Sequence, residues 1–402
     1  MIAFESVTKR YGDKVAVDSL TFEVAEGEVC VLIGPSGCGK TTTLRMVNRL
    51  IEPTSGSILV GGTDITTTNV EELRRGLGYV IQSVGLFPHL TVADNIGVVP
   101  RLLDWSKPRI AERADELLAL VGLDPDEYRA KYPAQLSGGE AQRVGVARAL
   151  AADPPVLLMD EPFGAVDPLN RERLQAEFAR IQRELRKTVI FVTHDIDEAI
   201  RLADRVAIMR DGQLQQYDTP ESVLDHPANR FVRDFVGADR ALKRLVRARV
   251  GDTMLPTPSV PLSATSEAAR EAAGADQFVY VTDEEGRLAG WLHVAELDAG
   301  GAVSDTAERV DPAEAAIWAD GTLRDALSRM LGLGVRSLPV TDDQHRLVGE
   351  VTLESVEATI AEYTGQASGT ARGAGQAPVT DTDADHDGAD GHDGRGAAGG
   401  GA

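Results

Sequence analysis

The sequence predicts an α/β fold with a largely parallel sheet over residues 1–240, followed by a smaller α+β module and a disordered tail. The first observation is that short apolar runs alternate with segments of helical periodicity, a pattern typical of alternating strands and helices. The second is a glycine-rich loop directly after one of these runs. The third is a pair of similar strand–turn–strand–helix segments in the C-terminal third of the chain.

The apolar runs predict buried strands, and the polar or glycine residues that end them mark the edge where open sheets bind ligands. Residues 107–130 predict helices inserted into this pattern, and Phe278–Leu297 and Ser337–Val356 repeat at about 60 residues, which predicts a paired module. We expect a first domain at 1–240, a linker at 241–262, the paired module at 263–365 and the tail at 366–402. The predicted buried strands are Val29–Ile33, Leu77–Gln82, Val156–Met159, Thr188–Thr193 and Arg205–Met209.

Composition argues against several classes of protein. The chain has 402 residues and a net charge of −22, which argues against nucleic-acid binding because such binding needs lysine and arginine against phosphate. No apolar stretch approaches the roughly 20 residues that span a bilayer, and the N-terminus lacks the apolar core of a secretory signal. We therefore expect a soluble protein at the cytoplasmic side of the membrane. Its two cysteines, Cys30 and Cys38, are expected to be free thiols.

The glycine-rich loop is a phosphate-binding motif. Gly34-Pro-Ser-Gly-Cys-Gly-Lys40-Thr41 fits the pattern G-x-x-x-x-G-K-[ST], between an apolar strand and a helical run. Glycines allow a tight turn whose backbone N–H groups face phosphate, Lys40 reaches the β- and γ-phosphates, and the Thr41 hydroxyl is a ligand for Mg²⁺. The motif predicts ATP and Mg²⁺ as cofactors.

An acidic pair follows a second apolar strand. Asp160 and Glu161 end the run Val156–Met159. An acidic pair at a strand end is most often a helix cap or a solvated turn, but together with a phosphate-binding loop it indicates nucleotide hydrolysis. Asp160 is placed to hold Mg²⁺ through water, and Glu161 is the expected general base for the attacking water.

A third motif decides the family. Leu136-Ser-Gly-Gly-Glu140 opens a helix and precedes the Asp160 strand, and a Ser-Gly-Gly turn at a helix start is another anion-binding position. With these motifs, residues 1–240 resemble ABC transporter ATPases with their helical subdomain. The resemblance implies a head-to-tail homodimer in which the Ser137–Glu140 segment of one subunit closes over ATP held by the other.

The resemblance also assigns further site residues. Tyr11 matches the aromatic residue that stacks on adenine, Gln82 the glutamine that touches Mg²⁺ and contacts the permease, and His194 the histidine at the γ-phosphate. Gly164–Asp167 matches the D-loop. The expected catalytic residues are Glu161, His194, Gln82 and Lys40, and the expected metal ligands are Thr41, Gln82 and Asp160. The expected nucleotide contacts are Tyr11, Gly34, Pro35, Ser36, Gly37, Cys38, Gly39, Lys40, Thr41, Thr42, Ser137, Gly138, Gly139 and Glu140.

The branch of the family is indicated by two regions. The segment GLFPHLTVADNI, with apolar Leu86, Phe87 and Leu90 on the expected permease-facing surface, is similar to importers of glycine betaine, proline betaine, choline or carnitine. The C-terminal repeats resemble a tandem pair of CBS domains, which is characteristic of these importers. The resemblance implies an integral permease and an external substrate-binding protein as partners, and a peripheral position at the inner membrane. The alternative is an importer of amino acids or other small solutes.

The repeats depart from the pattern that binds adenosine ligands. The second repeat has Gly349, Thr352 and Ser355, with serine where the ribose-binding aspartate is usual. The first has Gly290 and His293, with histidine where a hydroxyl residue is usual. These departures favour a regulatory or dimer-interface role over nucleotide binding.

A basic connector precedes this acidic module. Lys243, Arg244, Arg247 and Arg249 form either a solvated helix face or a cationic stretch held near anionic lipid or an acidic partner. The electrostatic screening length falls from about 10 Å in 0.1 M salt to about 3 Å in 1 M salt. The second alternative therefore predicts a switch that responds to ionic strength.

Overall fold

A computed structural model of the chain describes residues 1–82, 85–164, 166, 168–274, 278–298 and 301–363. The predicted tail at 366–402 lies outside the described residues. No helix in the described part of the chain is both long and apolar enough to cross a membrane.

The first domain alternates strands and helices, as expected. Its elements are β1 (Ile2–Tyr11), β2 (Lys14–Val24), β3 (Val29–Ile33), α1 (Lys40–Val47), β4 (Ser55–Val60), β5 (Thr63–Asp64), α2 (Val70–Arg75), β6 (Leu77–Val80), α3 (Val92–Ile96), α4 (Val98–Leu102), α5 (Lys107–Leu120), α6 (Pro125–Tyr128), a 3-10 turn (Pro133–Gln135), α7 (Gly138–Leu150), β7 (Val156–Asp160), α8 (Pro168–Leu185), β8 (Thr188–Val192), α9 (Ile196–Leu202), β9 (Arg205–Arg210), β10 (Gln213–Asp218), α10 (Pro220–Asp225) and α11 (Arg230–Val236).

The central sheet has the strand order β10-β9-β3-β8-β7-β6 among the described residues. All its pairs are parallel except that of β10 with β9. Every residue of β3, β7 and β8 is buried, which explains why these strands have continuous apolar sequences. Because β3, β8, β7 and β6 are consecutive and parallel, the loops after their carboxyl ends lie along one edge of the sheet. The predicted strand at 77–82 ends earlier, at Val80, so that Gln82 lies in the loop beyond it.

A second, antiparallel sheet was not predicted. Its strand order is β2-β1-β4-β5. Buried and exposed residues alternate along part of β2, as expected for a sheet with one face on the core. Phe4 and Phe22 stack on that buried face with ring centroids 4.5 Å apart. This sheet covers α1 and brings Tyr11, at the end of β1, to the loop after β3.

Asn95 organises the loop that follows Gln82 in the helical subdomain. It lies in α3 and is fully buried. Its Oδ1 accepts a hydrogen bond from the Phe87 N–H at 2.8 Å, and its Nδ2 lies 3.0–3.1 Å from the carbonyl oxygens of Phe87, Leu90 and Thr91. One amide side chain therefore forms hydrogen bonds with four backbone groups of the loop that carries Phe87, whose ring is exposed.

Replacing Asn95 by alanine is expected to lower the free energy of unfolding by about 2–3 kcal/mol, because buried donors and acceptors of the loop lose their partner. Urea unfolding followed by circular dichroism measures the change. Asn69→Ala is the matched control: Asn69 caps α2 at an exposed site and is expected to cost only about 1 kcal/mol. Equal losses in the two variants would contradict the organising role of Asn95.

The C-terminal module consists of two similar halves. Its elements are α12 (Arg240–Arg244), α13 (Val250–Thr253), β11 (Ser259–Pro261), α14 (Ser266–Ala273), β12 (Phe278–Thr282), β13 (Leu288–His293), a 3-10 turn (Val294–Glu296), α15 (Val303–Thr306), β14 (Glu308–Arg309), α16 (Pro312–Ala315), β15 (Ile317–Trp318), α17 (Leu323–Leu333), β16 (Ser337–Thr341), β17 (Leu347–Thr352) and α18 (Leu353–Tyr363).

The predicted repeat is visible in the strand register. In each half a short strand pairs in parallel with the first strand of a hairpin, β11 with β12 and β15 with β16. Val281 pairs with Gly290 in the first hairpin, and Val340 pairs with Gly349 in the second. The two hairpins also contact each other, since the Leu288 N–H donates to the His345 carbonyl at 3.0 Å. The first half ends its second strand in a 3-10 turn where the sequence predicts a helix.

The segment predicted as a linker, 241–262, is part of this module. Leu245, Ala248 and Val250 are buried in the core of the second half with residues of β16, β17 and α17. The end of the segment forms β11 and adds a strand to the sheet of the first half. The composition of the segment, basic and then proline-rich, gives no sign of these few buried positions.

Candidate nucleotide-binding site

The loop between β3 and α1 has a backbone that requires glycine. Gly34, Gly37 and Gly39 have φ angles of 152°, 78° and 108°, which side chains of L-residues rarely adopt. A Cβ atom on Gly34 would overlap the Met209 carbonyl oxygen of β9, and one on Gly39 would lie 2.5 Å from the Ala16 carbonyl oxygen. The loop is therefore held tightly against neighbouring strands, with its backbone turned toward the cleft at the start of α1.

Lys40, the first residue of α1, extends its side chain into this loop. Its side chain is buried, and Nζ donates to the carbonyl oxygens of Gly34 at 2.7 Å and Pro35 at 3.1 Å. Cys38 places its Sγ 3.8 Å from the same Nζ. Burial raises the pKa of the Cys38 thiol, so Cys38 adds no charge at neutral pH. Cys30 and Cys38 are both free thiols, as predicted.

Thr41 and Asp160 meet across the site. The Thr41 hydroxyl donates to Oδ1 of Asp160 at 3.1 Å, although the two residues come from α1 and the end of β7. Burial raises the pKa of Asp160, and the Thr41 hydroxyl partly opposes this effect. A hydroxyl and a buried carboxylate are thus paired beside the phosphate-binding loop.

Glu161 is held by two other predicted residues. Gln82 Nε2 donates to Glu161 Oε2 at 2.8 Å, and His194 Nδ1 lies 3.3 Å from Glu161 Oε1. The Glu161 backbone has φ = 45°, and its N–H donates to the Val192 carbonyl at the end of β8 at 2.9 Å. A glutamate in the left-handed region costs about 1–3 kcal/mol and persists only where the surroundings impose it, which is common at active sites.

These groups surround one cleft of about 640 Å³. Tyr11 is at its rim, with 48% of the residue exposed, and the Lys9 ammonium group lies 5.1 Å from the centroid of its ring. Lys14 and Ala16 also line the cleft and were missed from the sequence. Their position could have been inferred from the β1–β2 hairpin, because its turn pairs Lys14 with Tyr11. The cleft is lined by Tyr11, Lys14, Ala16, Ser36, Gly37, Gly39, Lys40, Thr41, Thr42, Gln82, Glu161 and His194.

The predicted segment Ser137–Glu140 does not line this cleft. Ser137 is the N-cap of α7 and forms a capping box with Glu140: the Ser137 N–H donates to Glu140 Oε2 at 2.7 Å, and the Glu140 N–H donates to Ser137 Oγ at 3.3 Å. The turn therefore presents a helix N-terminus on a surface away from the cleft of its own chain. Of the predicted D-loop, Ala165 and Asp167 lie outside the described residues.

The C-terminal module has an apolar cleft of about 690 Å³ between its halves, lined among others by Tyr280, Trp291 and His293.

Thr352 and Ser355 of the second repeat form hydrogen bonds with each other. The Ser355 N–H donates to Thr352 Oγ1 at 3.1 Å, and the Thr352 N–H donates to Ser355 Oγ at 3.2 Å. They cap the start of α18. The hydroxyl groups of Thr352 and Ser355 therefore take part in hydrogen bonds within the chain.

The basic connector is paired with carboxylates of the chain. Arg247 Nε lies 2.6 Å from Glu221 Oε1 in α10, and Arg249 Nη1 lies 2.8 Å from Asp320 Oδ1. Lys243 pairs with Asp239 at 2.5 Å and with Asp197 at 3.9 Å, and Arg244 pairs with Asp225. Each of the four connector cations is therefore ion-paired within the chain.

A phosphate-binding loop, a buried aspartate and a glutamate held by glutamine and histidine at one sheet edge define a P-loop ATPase. Comparison with known proteins specifies the family. The ABC transporter family matches residues 17–164, and the CBS domain family matches residues 310–362, which include the second half of the C-terminal module.

Several curated proteins are similar along most of the chain. The osmoprotectant import ATP-binding protein OsmV of Salmonella typhimurium is 46% identical over 89% of this chain and 95% of its own length. The glycine betaine/carnitine/choline transport ATP-binding protein OpuCA of Bacillus subtilis is 46% identical over the same shares. The carnitine transport ATP-binding protein OpuCA of Listeria monocytogenes is 46% identical over 89% of this chain and 91% of its own length.

Two solved structures are similar to the first domain of this chain. The ATP-binding cassette MJ0796, in a dimeric post-hydrolysis state bound to ADP and Pi, is 33% identical with a TM-score of 0.50, covering 55% of this chain and 99% of that one. The structure of cbiO1 from Clostridium perfringens is 28% identical with a TM-score of 0.52, covering 56% and 91%. The chain belongs to the ATP-binding subunits of ABC transporters, the ATPases that work as dimers with a membrane permease. The resemblance stated from the sequence is confirmed.

Proposed function

We propose that this subunit hydrolyses ATP in a head-to-tail homodimer to drive uptake of quaternary-amine osmoprotectants through a separate permease. The observation that carries the substrate class is the similarity, over 89% of the chain, to ATP-binding proteins named for osmoprotectant, carnitine and choline transport. That similarity includes the C-terminal module, which distinguishes this class from the alternative, an importer of amino acids or other small solutes.

Five side chains of the cleft then have roles in ATP binding or hydrolysis. Lys40 and the backbone of the Gly34–Gly39 loop bind the phosphates, and Tyr11 stacks on the adenine. Glu161 accepts the proton of the attacking water. Gln82 and His194 orient the Glu161 carboxylate, since each lies within 3.3 Å of one of its oxygens.

Mg²⁺ fits the chemistry of the cleft. Thr41 supplies a hydroxyl oxygen, Asp160 a buried carboxylate and Gln82 an amide oxygen, and hard oxygen donors are what Mg²⁺ prefers. These three residues would hold the ion against the phosphates. When bound, Mg²⁺ supplies neutralisation of the charge on the phosphate oxygens.

The position of Ser137–Glu140 supports the head-to-tail arrangement. Since this helix N-terminus lies outside the cleft of its own chain, it is free to contact the triphosphate held by a second subunit. Two clefts would then be closed by two such turns. The permease would contact the loop around Phe87, and an external substrate-binding protein would deliver the solute. The subunit itself would sit peripherally at the cytoplasmic face of the inner membrane.

The C-terminal module is proposed to regulate transport in response to ionic strength. The ion pairs of Arg247 and Arg249 are partly exposed, so salt would weaken them. The pairing of Thr352 with Ser355 and the absence of the usual aspartate at position 355 favour this role over adenosine binding.

Uptake by vesicles tests the proposal. The full chain, reconstituted with its cognate permease and substrate-binding protein, is expected to drive ATP-dependent uptake of glycine betaine that choline or carnitine reduces by competition. Uptake should rise with salt on the ATP side and vanish with Glu161→Gln. ATP turnover that is stimulated by another solute, without betaine uptake, would retain the ATPase assignment and overturn the substrate class. Unchanged salt activation after neutralising the four connector cations would contradict the ionic switch.

A further inference from the structure

A tyrosine outside the recognised motifs supports the Ser137–Glu140 turn. Tyr128 is the last residue of α6 and is half-buried against the main core of the first domain. Its hydroxyl donates to Glu140 Oε1 at 2.5 Å. This hydrogen bond raises the pKa of Tyr128, so the hydroxyl remains a donor. The Lys131 ammonium group lies 3.8 Å from the ring centroid and limits its movement.

The Glu140 carboxylate is fully engaged within the turn. Oε1 accepts from Tyr128 and Oε2 accepts from the Ser137 N–H. These bonds, that of Tyr128 first, lower the pKa of Glu140 to about 2, so it is ionised at neutral pH. An ionised carboxylate facing a triphosphate would repel it. Glu140, which the sequence places among the nucleotide contacts, is therefore suited to shape the turn instead of touching ATP.

We propose that Tyr128 is a positioning residue for the ATP-contacting turn: its hydroxyl fixes the Glu140 carboxylate, which fixes the Ser137 backbone. The inference rests on the proposed head-to-tail site, because the turn acts on ATP held by the second subunit. Without the Tyr128 hydroxyl, the Glu140 side chain gains rotational freedom and the Ser137 N–H loses a fixed acceptor.

The same chain segment joins the turn to the loop that Asn95 organises. The carbonyl oxygens of Arg129 and Lys131 accept from the N–H groups of Ala93 at 3.1 Å and Val92 at 2.8 Å, at the start of α3. Tyr128 thus belongs to one hydrogen-bonded framework that contains both the exposed loop around Phe87 and the turn that contacts ATP.

The test uses the full chain carrying Glu161→Gln, in which ATP is bound but not hydrolysed, and measures ATP-induced dimerisation by analytical ultracentrifugation. Tyr128→Phe removes one hydroxyl and is expected to weaken dimerisation about tenfold, the usual effect of a lost hydrogen bond to a charged group. ATP affinity of the monomer should stay within about twofold, because the cleft that holds ATP is unchanged. Tyr132→Phe is the matched control, since Tyr132 lies in the same segment and is 47% exposed.

A double-mutant cycle separates positioning from a merely structural role. If Tyr128 acts through Glu140, adding Tyr128→Phe to Glu140→Ala changes dimerisation no further than Glu140→Ala alone. Glu140→Gln is expected to retain dimerisation near the starting level, because its amide oxygen accepts from Ser137 while its NH₂ group donates to the Tyr128 oxygen.

Additive effects of the two substitutions, or a Tyr128→Phe variant that dimerises like Tyr132→Phe, would overturn the inference and leave the proposed function intact. Absence of ATP-induced dimerisation in the starting chain would overturn both. If Tyr128→Phe does not fold, the two Glu140 variants decide: a loss in alanine with retention in glutamine supports the inference, and equal behaviour overturns it.

Discussion

Glu161→Gln is expected to reduce steady-state ATP hydrolysis at least about a hundredfold while ATP binding is retained. The amide of glutamine cannot accept the proton of the attacking water. It does keep the shape of the side chain and an oxygen that accepts from Gln82 Nε2, which lies 2.8 Å from Glu161 Oε2. Phosphate release measures hydrolysis, and equilibrium dialysis with labelled ATP measures binding.

The matched control for this substitution is Glu26→Gln. Glu26 is exposed and precedes β3, at the end of the strand opposite the phosphate-binding loop. Its variant should hydrolyse ATP at the wild-type rate. Hydrolysis by Glu161→Gln within a few fold of wild type would show that another group accepts the proton, and His194 would be the next to test because it faces the same cleft.

Gly34→Ala is expected to abolish ATP binding and to lower the free energy of unfolding of the first domain by about 4 kcal/mol, the sum of backbone strain and overpacking. Gly34 has φ = 152°, and a Cβ there would overlap the Met209 carbonyl and lie 2.9 Å from Cys38 Sγ. The Gly34 carbonyl also accepts from Lys40 Nζ, so a shift of this residue displaces the lysine. Urea unfolding and ATP titration measure the two effects.

Gly37→Ala in the same loop is the comparison. Gly37 also has positive φ, at 78°, but a Cβ there meets no atom within 4 Å. Only the conformational penalty applies, and we expect a loss of about 1–2 kcal/mol. If both variants lose the same stability, the contact of Gly34 with β9 is not what constrains the loop.

Much of the central sheet was predictable, because its strands are buried on both faces and therefore have continuous apolar sequences. The five predicted strands correspond to β3 and β6–β9 with small differences at their ends. The antiparallel sheet was not predicted, since its strands have one partly exposed face and a weaker apolar signal. The folded part of residues 241–262 was missed for a similar reason: its buried residues are few and are separated by basic side chains.

The residues of the site also differ in whether local sequence could predict them. Motif spacing predicted Lys40, Thr41, Asp160 and Glu161, because a phosphate-binding loop and an acidic strand end are local in the chain. The sequence also predicts Glu140 among the nucleotide contacts, and in the structure its carboxylate accepts hydrogen bonds from Ser137 and Tyr128. No spacing rule connects Tyr128 to that turn, because the hydrogen bond depends on how α6 packs beside α7.

The sequence by itself determined which chemical groups this protein has and which family it resembles, because glycine, lysine and carboxylate motifs depend on local backbone geometry. Only the tertiary structure decided which groups meet. The strand order brings Gln82, Glu161 and His194 together from three separate loops. Likewise, Arg324 Nη1 of α17 lies 2.9 Å from Asp197 Oδ2 of α9, three residues after His194, joining the C-terminal module to the ATPase domain. Such contacts bring together residues far apart in the chain, and so they depend on the packing of whole elements.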